Sequence, residues 1–317
     1  MKIAPHICVA LMVLAMMFLL GCTHKELCYD HSHVNEVNVY FNWNAAPDAE
    51  PESMGLYIYP QEEQKLLRFS LGGKHGGKIR MKNGTYHVIC MNDDTRNITT
   101  LNINDLSTFE INTKDLETIA GSVNLSTKAI PKAKGYEEER IVASPEMTWS
   151  GFSNDNHISG ENTEITLYPE CNVISCDLTI NNAENLRWVK SVSATISSMA
   201  GGYQPQYKSL TNEAVTIAFE CSIDVKNNKI TGTLSTFGCC PKNEIKHILT
   251  VYTIMDDNTK WWYQIDVTDQ VHYRDDPYKI VINLDKLPVP APDIGEGEGG
   301  FSADVSEWNE VIYDIKM

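Results

Sequence analysis

Short runs of alternating apolar and polar residues, each soon stopped by Gly, Pro, Asn or Asp, recur along this 317-residue chain and constrain its fold more than any other feature. Strand side chains point to opposite faces with period 2, so such runs read as strands with one buried face. Val37, Val39, Phe41 and Trp43 share one face, with Glu36, Asn38, Tyr40 and Asn42 opposite. Leu56 and Ile58 mark a second strand stopped by Pro60, and Leu67, Phe69 and Leu71 mark a third. Gly72-Gly73 and Gly76-Gly77 break the chain. Lys82-Asn83-Gly84 then has the chemistry of a hairpin turn between strands at 79–81 and 86–91. Phe109 and Ile111 close this half.

The second half repeats the style. Residues 165–180 form one long strand or two, broken near Pro169. Residues 186–199 could be helix or strand, and Val192, Ala194 and Ile196 favour strand. Val215, Ile217, Phe219 and Cys221 alternate, and 230–237 follows the turn Asn227-Asn228. A hairpin joins 247–254 to 261–267 around Asp256-Asp257-Asn258, and Ile280, Ile282 and Leu284 end the half. Many short, closely spaced strands predict an all-β sandwich or barrel.

With 42% hydrophobic and 21% charged residues, the chain is too apolar to be wholly disordered, and its length suits about two domains. Apolar periodicity fades over 130–160, around Lys132, Lys134 and Glu137-Glu138-Glu139-Arg140, which reads as a linker or an inter-domain strand. The expected divisions are a sandwich at 34–145, a second at 146–287, and a Pro/Gly linker with a terminal strand at 288–317. Pro288, Pro290 and Pro292 make a stiff connector, and 295–300 a flexible acidic one. Val311, Tyr313, Ile315 and Met317 then share one strand face. That strand either completes its own domain or is a donor strand for a neighbour.

At the other end, Lys2 precedes an apolar run from Ile7 to Leu20, closed by Gly21-Cys22. About 14 residues is too short for a span, which needs about 20, but suits a signal-peptide core. Leu19-Leu20-Gly21-Cys22 looks like a bacterial lipobox, so 1–21 is expected to be a cleaved signal and 22–33 a tether. Cys22 is the expected lipidation site, carrying diacylglycerol and a further acyl chain such as palmitate. Two or three chains hold a protein on a bilayer where one is marginal. Thr23-His24-Lys25-Glu26 loosely resembles the charged tag that sends some Bacteroidales lipoproteins to the outer face of the outer membrane. The expected location is therefore the outer membrane, with either face open.

Searches for chemistry are mostly negative. Forty-two acids against 26 basic residues give a net charge of −16, which argues against nucleic acid as a partner. Residues 295–300 contain GxGxxG, but prolines precede it and two glutamates would repel a pyrophosphate. Cys28, Asp30, His31 and His33 could ligate a metal, yet all sit within six residues, so they read as a polar entry to the first strand. Asp93-Asp94, Asp256-Asp257 and Asp275-Asp276 sit at expected turns. The sequence predicts no catalytic centre, no cofactor and no metal, hence a non-enzymatic protein. Seven cysteines remain beyond Cys8 and Cys22, an odd number without CxxC spacing, and read as buried free thiols. Trp261-Trp262 places indoles on opposite strand faces. One reads as core; the other packs on a neighbouring domain or stacks on a sugar, which makes the pair candidate ligand aromatics.

Several segments carry a family resemblance: 22–33, Asn44–Leu56 (NAAPDAEPESMGL), Ser144–Ser150 (SPEMTWS), Ser198-Met199-Ala200-Gly201-Gly202, Phe237-Gly238-Cys239, Asp266–Gln270 (DVTDQ) and Trp308 with Ile315-Lys316-Met317. The chain resembles Bacteroidales lipoproteins encoded near fimbrial genes, similar to the FimB-type minor fimbrial anchor proteins. The resemblance implies two tandem transthyretin-like Greek-key β-sandwich domains. It also implies fimbrial subunits as partners, with a glycan or host-surface ligand as the alternative. In related fimbrillins a trypsin-like protease removes the first strand, and a neighbour's C-terminal strand fills the groove by β-augmentation. Here no Lys or Arg lies between Lys25 and Lys65, which predicts an unprocessed subunit, an anchor or accessory.

Overall fold

The computed structural model describes residues 34–62, 65–121, 124–160, 163–242, 245–291 and 307–311. The first half forms β1 (Val34–Phe41), β2 (Ser53–Pro60), β3 (Leu67–Gly72), β4 (Gly77–Lys82), β5 (Gly84–Asn92), β6 (Ile98–Leu101), β7 (Glu110–Thr113), β8 (Thr118–Ile119), β9 (Leu125–Ser126), β10 (Arg140–Ala143), β11 (Trp149–Ile158), β12 (Thr163–Leu167) and β13 (Glu170–Cys171). The second forms β14 (Ile174–Ala183), β15 (Val189–Ala200), β16 (Gly202–Gln204), β17 (Ser209–Leu210), β18 (Ala214–Asp224), β19 (Lys229–Thr236), β20 (Ile248–Met255), β21 (Lys260–Asp266), α1 (Thr268–His272), β22 (Lys279–Leu287) and β23 (Trp308–Val311). The protein is all-β.

The N-terminal region is a sandwich. A five-stranded sheet, β13-β11-β5-β2-β3, faces a three-stranded one, β12-β1-β4. Alternate residues of each meet in one core: Val37, Val39 and Phe41 from β1, Met54, Leu56 and Ile58 from β2, Val88 and Cys90 from β5, and Ile165 and Leu167 from β12. Burying each such side chain contributes about 1.5–3 kcal/mol. β1 is the middle strand of its sheet and runs parallel to β12, with Val37 opposite Thr163 and Phe41 opposite Leu167. Gly76, at φ +89°, lies against it so closely that a Cβ would stand 2.0 Å from the Val39 carbonyl oxygen. The glycine pair that reads as a simple chain break is a close approach of two backbones.

Asn83-Gly84 does not make the expected hairpin. Both edges of β5 are taken, by β2 and β11, so β4 and β5 belong to different sheets and the turn crosses from one layer to the other. Turn chemistry fixes a local reversal, not which edges remain free.

The second region is a single nine-stranded sheet, β22-β14-β19-β18-β15-β20-β21-β23, with β10 beside β18. Leu178 and Ile180, Val192 and Ile196, Ile217 and Phe219, Val251, Tyr263, Ile280 and Ile282 all enter one core. Strands near both edges share that core, so the sheet curls on itself, as twisted sheets of this width do. α1 follows β21 yet packs on β22 at the opposite edge, where Gln270 Oε1 accepts the Asn283 N–H at 2.7 Å. The expected hairpin of β20 and β21 and the break at Pro169 are both present.

The two regions are joined by more than a linker. β2 and β5 are buried on both faces, and Tyr57, Tyr59, Ile89 and Met91 pack on Phe109, Ile111, Val173, Ala200 and Phe237. Strands share sheets across the expected 145/146 division, since β11 pairs with β5 while β10 pairs in parallel with β18. The described residues from Asn35 onward form one compact unit. Of the two readings of 130–160, the strand fits: β10 and β11 lie within it, and Ile130 and Ile141 join a core with Ile119, Tyr252 and Trp262. A bulge in β15 between Ile196 and Met199, with Ser198 at φ 66°, takes the Ser198 N–H out of the ladder. The Glu139 carboxylate accepts that N–H at 2.9 Å, together with the Thr216 hydroxyl at 2.7 Å. A glutamate in an apparent charge run thus satisfies a buried backbone donor.

Candidate functional site

Two features stand out: the outer edge of the curled sheet, and a cluster of histidines and a cysteine at one end of it.

At the edge, β23 runs parallel to β21 with Trp262 opposite Glu310 and Tyr263 opposite Val311. Among the described residues it is the last strand of the sheet, and its outer side carries no ladder partner. Trp308 anchors it. The indole stands edge-on to Tyr252 with centroids 5.4 Å apart, and its Nε1 donates to the Ala129 carbonyl at 2.8 Å. Lys260 Nζ lies 5.9 Å from the Trp308 ring centroid, and Lys134 Nζ pairs with Glu310 at 2.6 Å. The rest is lightly held, for Asn309 and Glu310 are exposed. Of the candidate donor face, Val311 lies in β23 and packs on the sheet's core. Tyr313, Ile315 and Met317 lie outside the described residues, as do Cys22, Cys28, His31 and His33.

Trp261 and Trp262 do face opposite sides, but neither is an open platform. Trp262 is 8% exposed in the core beneath Trp308, and Trp261 is half-buried against the other core. Aromatic surface is exposed elsewhere. Tyr168, 59% exposed, lines an open cleft of about 410 Å³ with Tyr203, Phe152, Asn42 and Asn44, closed at one side by the Lys208–Glu170 ion pair at 2.5 Å. Alternation cannot single out Tyr168, because it sits in the break between β12 and β13.

The aspartate pairs are structural. Asp93 accepts the Ser70 hydroxyl at 2.9 Å, Asp94 the Glu52 N–H at 2.7 Å, Asp257 the Thr259 N–H at 2.9 Å and Asp276 the Tyr278 N–H at 2.8 Å. Six cysteines, at 90, 171, 176, 221, 239 and 240, are free thiols. Burial pushes the thiols of Cys90, Cys176 and Cys221 up to about 12, so these are inert.

The cluster is made of Cys239, His247 and His272, whose ligand atoms lie within 4.8 Å of one another. Gly238, at φ +140°, lies two residues beyond β19 and lets Cys239 bridge to Met199. His247 directly precedes β20, and its own N–H donates to the Thr268 hydroxyl at 2.9 Å. Thr268 opens α1, where Asp266 accepts its N–H at 3.1 Å. His272 lies four residues on, which places it over Thr268 on the same helix face. The two rings meet edge-on, with centroids 4.9 Å and Nε2 atoms 3.0 Å apart. His247 Nδ1 lies 3.1 Å from the Ser197 carbonyl oxygen, which can only accept, so Nδ1 carries the proton. Burial lowers the His247 pKa to about 4, so the ring is neutral at ordinary pH. Burial raises the Cys239 thiol, and the positive charge of Arg274 partly offsets this. Sequence spacing gave no sign of the trio, which a turn, a strand start and a five-residue helix bring together.

Solved structures resemble this one to different degrees, and the first of these shares its fold. A candidate adhesin of Bacteroides ovatus is 20% identical, with a TM-score of 0.58 over 85% of this chain and 99% of its own. A candidate polysaccharide-binding protein of Bacteroides thetaiotaomicron is 10% identical, with a TM-score of 0.49 over 80% of this chain and 92% of its own. The fimbrial anchor protein Mfa2 of Porphyromonas gingivalis is 10% identical, with a TM-score of 0.45 over 80% and 91%. No curated protein matches. The family described as "Domain of unknown function (DUF5119)" matches residues 21–220, well over half of the sequence, and the chain belongs to it.

Proposed function

We propose that this protein is a non-enzymatic, lipid-anchored component of the cell envelope, an anchor or accessory subunit of a fimbria held to the outer membrane through Cys22. The observation that carries this reading is the seat of β1. It is the middle strand of its sheet, and Val37 and Val39 are 0% and 1% exposed in the sandwich core. In the fimbrillins that the sequence resembles, the corresponding first strand is cut away to receive a neighbour's strand. Here no Lys or Arg stands between Lys25 and Lys65 to permit such a cut. A subunit that keeps β1 keeps its lipid and fills its own groove, so it closes a polymer rather than extending it. Its remaining route to a partner is through exposed edges such as β23, by main-chain pairing.

The test is the state of the native protein. The mature N-terminus should be an acylated Cys22, with radiolabelled palmitate incorporated by the native chain and lost in Cys22→Ala. Unheated outer-membrane extracts on an SDS gel should show high-mass species containing fimbrial subunits, which collapse on boiling. An N-terminus downstream of Phe41 would sink the anchor reading. So would a single monomer band with and without boiling.

The cleft at Tyr168 favours a second reading, a module binding a glycan or host surface. Its exposed ring beside Asn42, Asn44 and the Lys208–Glu170 pair is the chemistry that stacks on and hydrogen-bonds a sugar. Binding to a glycan panel that Tyr168→Ala abolishes would support it; no binding across the panel would dispose of it.

A further inference from the structure

We propose that Cys239, His247 and His272 form a zinc site with three protein ligands and an open fourth position.

Three observations carry it. The donor set is one thiolate and two imidazoles, which suits zinc in softness and number. The ligand atoms already converge within 4.8 Å. Tetrahedral zinc, with Zn–N about 2.0–2.1 Å, holds two imidazole nitrogens roughly 3.3 Å apart. The His247 and His272 Nε2 atoms stand at 3.0 Å, close to that spacing, and the site closes on an ion by drawing its third ligand inward, since the full set spans up to 4.8 Å.

The outer shell is built as metal sites require. A ligating histidine donates its other ring N–H to a carbonyl or carboxylate, which fixes its tautomer and its aim. His247 does this through Nδ1 to Ser197, which leaves the Nε2 lone pair directed at the cluster. Its backbone N–H is tied to Thr268, and Asp266 accepts the Thr268 N–H in turn, so one hydrogen-bonded unit positions both histidines. The buried ring is rigid, while His272 is exposed, so ions reach the site from solvent. On binding, the proton that His272 shares with His247 moves to His272 Nδ1, and the Cys239 thiol releases its proton as the thiolate coordinates.

The full-length chain, purified in detergent, is titrated with Co²⁺ and then Zn²⁺. Co²⁺ should give tetrahedral d–d absorption with a thiolate-to-cobalt charge-transfer band, displaced by one equivalent of Zn²⁺. Cys239→Ser should remove the charge-transfer band. His272→Ala, on an exposed ring, should weaken Zn²⁺ about tenfold or more while leaving the fold intact. A Cys28→Ser/His31→Ala/His33→Ala variant should bind as the native chain does. Absence of the charge-transfer band overturns the site. So does unchanged affinity in His272→Ala, or loss of the band in the N-terminal triple variant. Should Cys239→Ser fail to fold, the native spectrum and His272→Ala still decide.

Discussion

The two ends of the described chain are held in opposite ways. β1 is a middle strand with every second residue in a core, whereas β23 is a four-residue edge strand held chiefly by one indole. Both are terminal strands and both pair in parallel with a strand far away in sequence. Burial sets them apart, and burial decides which one a sandwich can lose. β1 is part of what makes the N-terminal sandwich a folded object. β23 covers a surface that the curled sheet has already completed.

The largest expected effect tests the β1 side. Val37→Asp puts a carboxylate where a fully buried valine stands, without a partner, and should cost about 5 kcal/mol or more, seen as loss of a cooperative urea transition. If that variant unfolds with a native midpoint, β1 is dispensable and the contrast fails. Next comes the bulge in β15. Glu139→Ala leaves the Ser198 N–H and the Thr216 hydroxyl unpaired and should cost about 1–3 kcal/mol by the same measurement. The β23 side should be milder. Trp308→Ala removes the Tyr252 contact and the bond to Ala129, for about 1–2 kcal/mol, with faster proteolysis confined to the C-terminal segment. Global unfolding on that change would place β23 in the core after all. Smallest is Lys134→Ala, which breaks an exposed pair with Glu310 and should shift the midpoint by less than about 1 kcal/mol.

What the sequence discloses follows the range of the forces involved. Alternation in 37–43, 215–221 and 247–267 marks β1, β18, β20 and β21, because period 2 is a local property. The opposed faces of Trp261 and Trp262 follow from the same rule. Pairing does not. Asn83-Gly84 carries a hairpin signal, yet β5 already has both neighbours, and nothing local says so. The sequence shows no role for Glu139, because the bulge that needs it lies about sixty residues downstream. Of the candidate site, alternation places Val311 on a strand, while Trp308 lies outside that pattern. Cys239, His247 and His272 were not found, since their meeting depends on where β15, β19, β20 and α1 end.

The parallel pairing of β1 with β12 also imposes an order in time. Synthesis delivers Val34–Phe41 first, but the strand that seats it, Thr163–Leu167, follows well over a hundred residues later. An antiparallel hairpin would have closed within a few residues; this contact must wait, and loop closure over such a length makes it slow. Through that interval the apolar face of β1, with Val37, Val39 and Phe41, lacks the core that buries it. The delay is built into the topology rather than into any one residue.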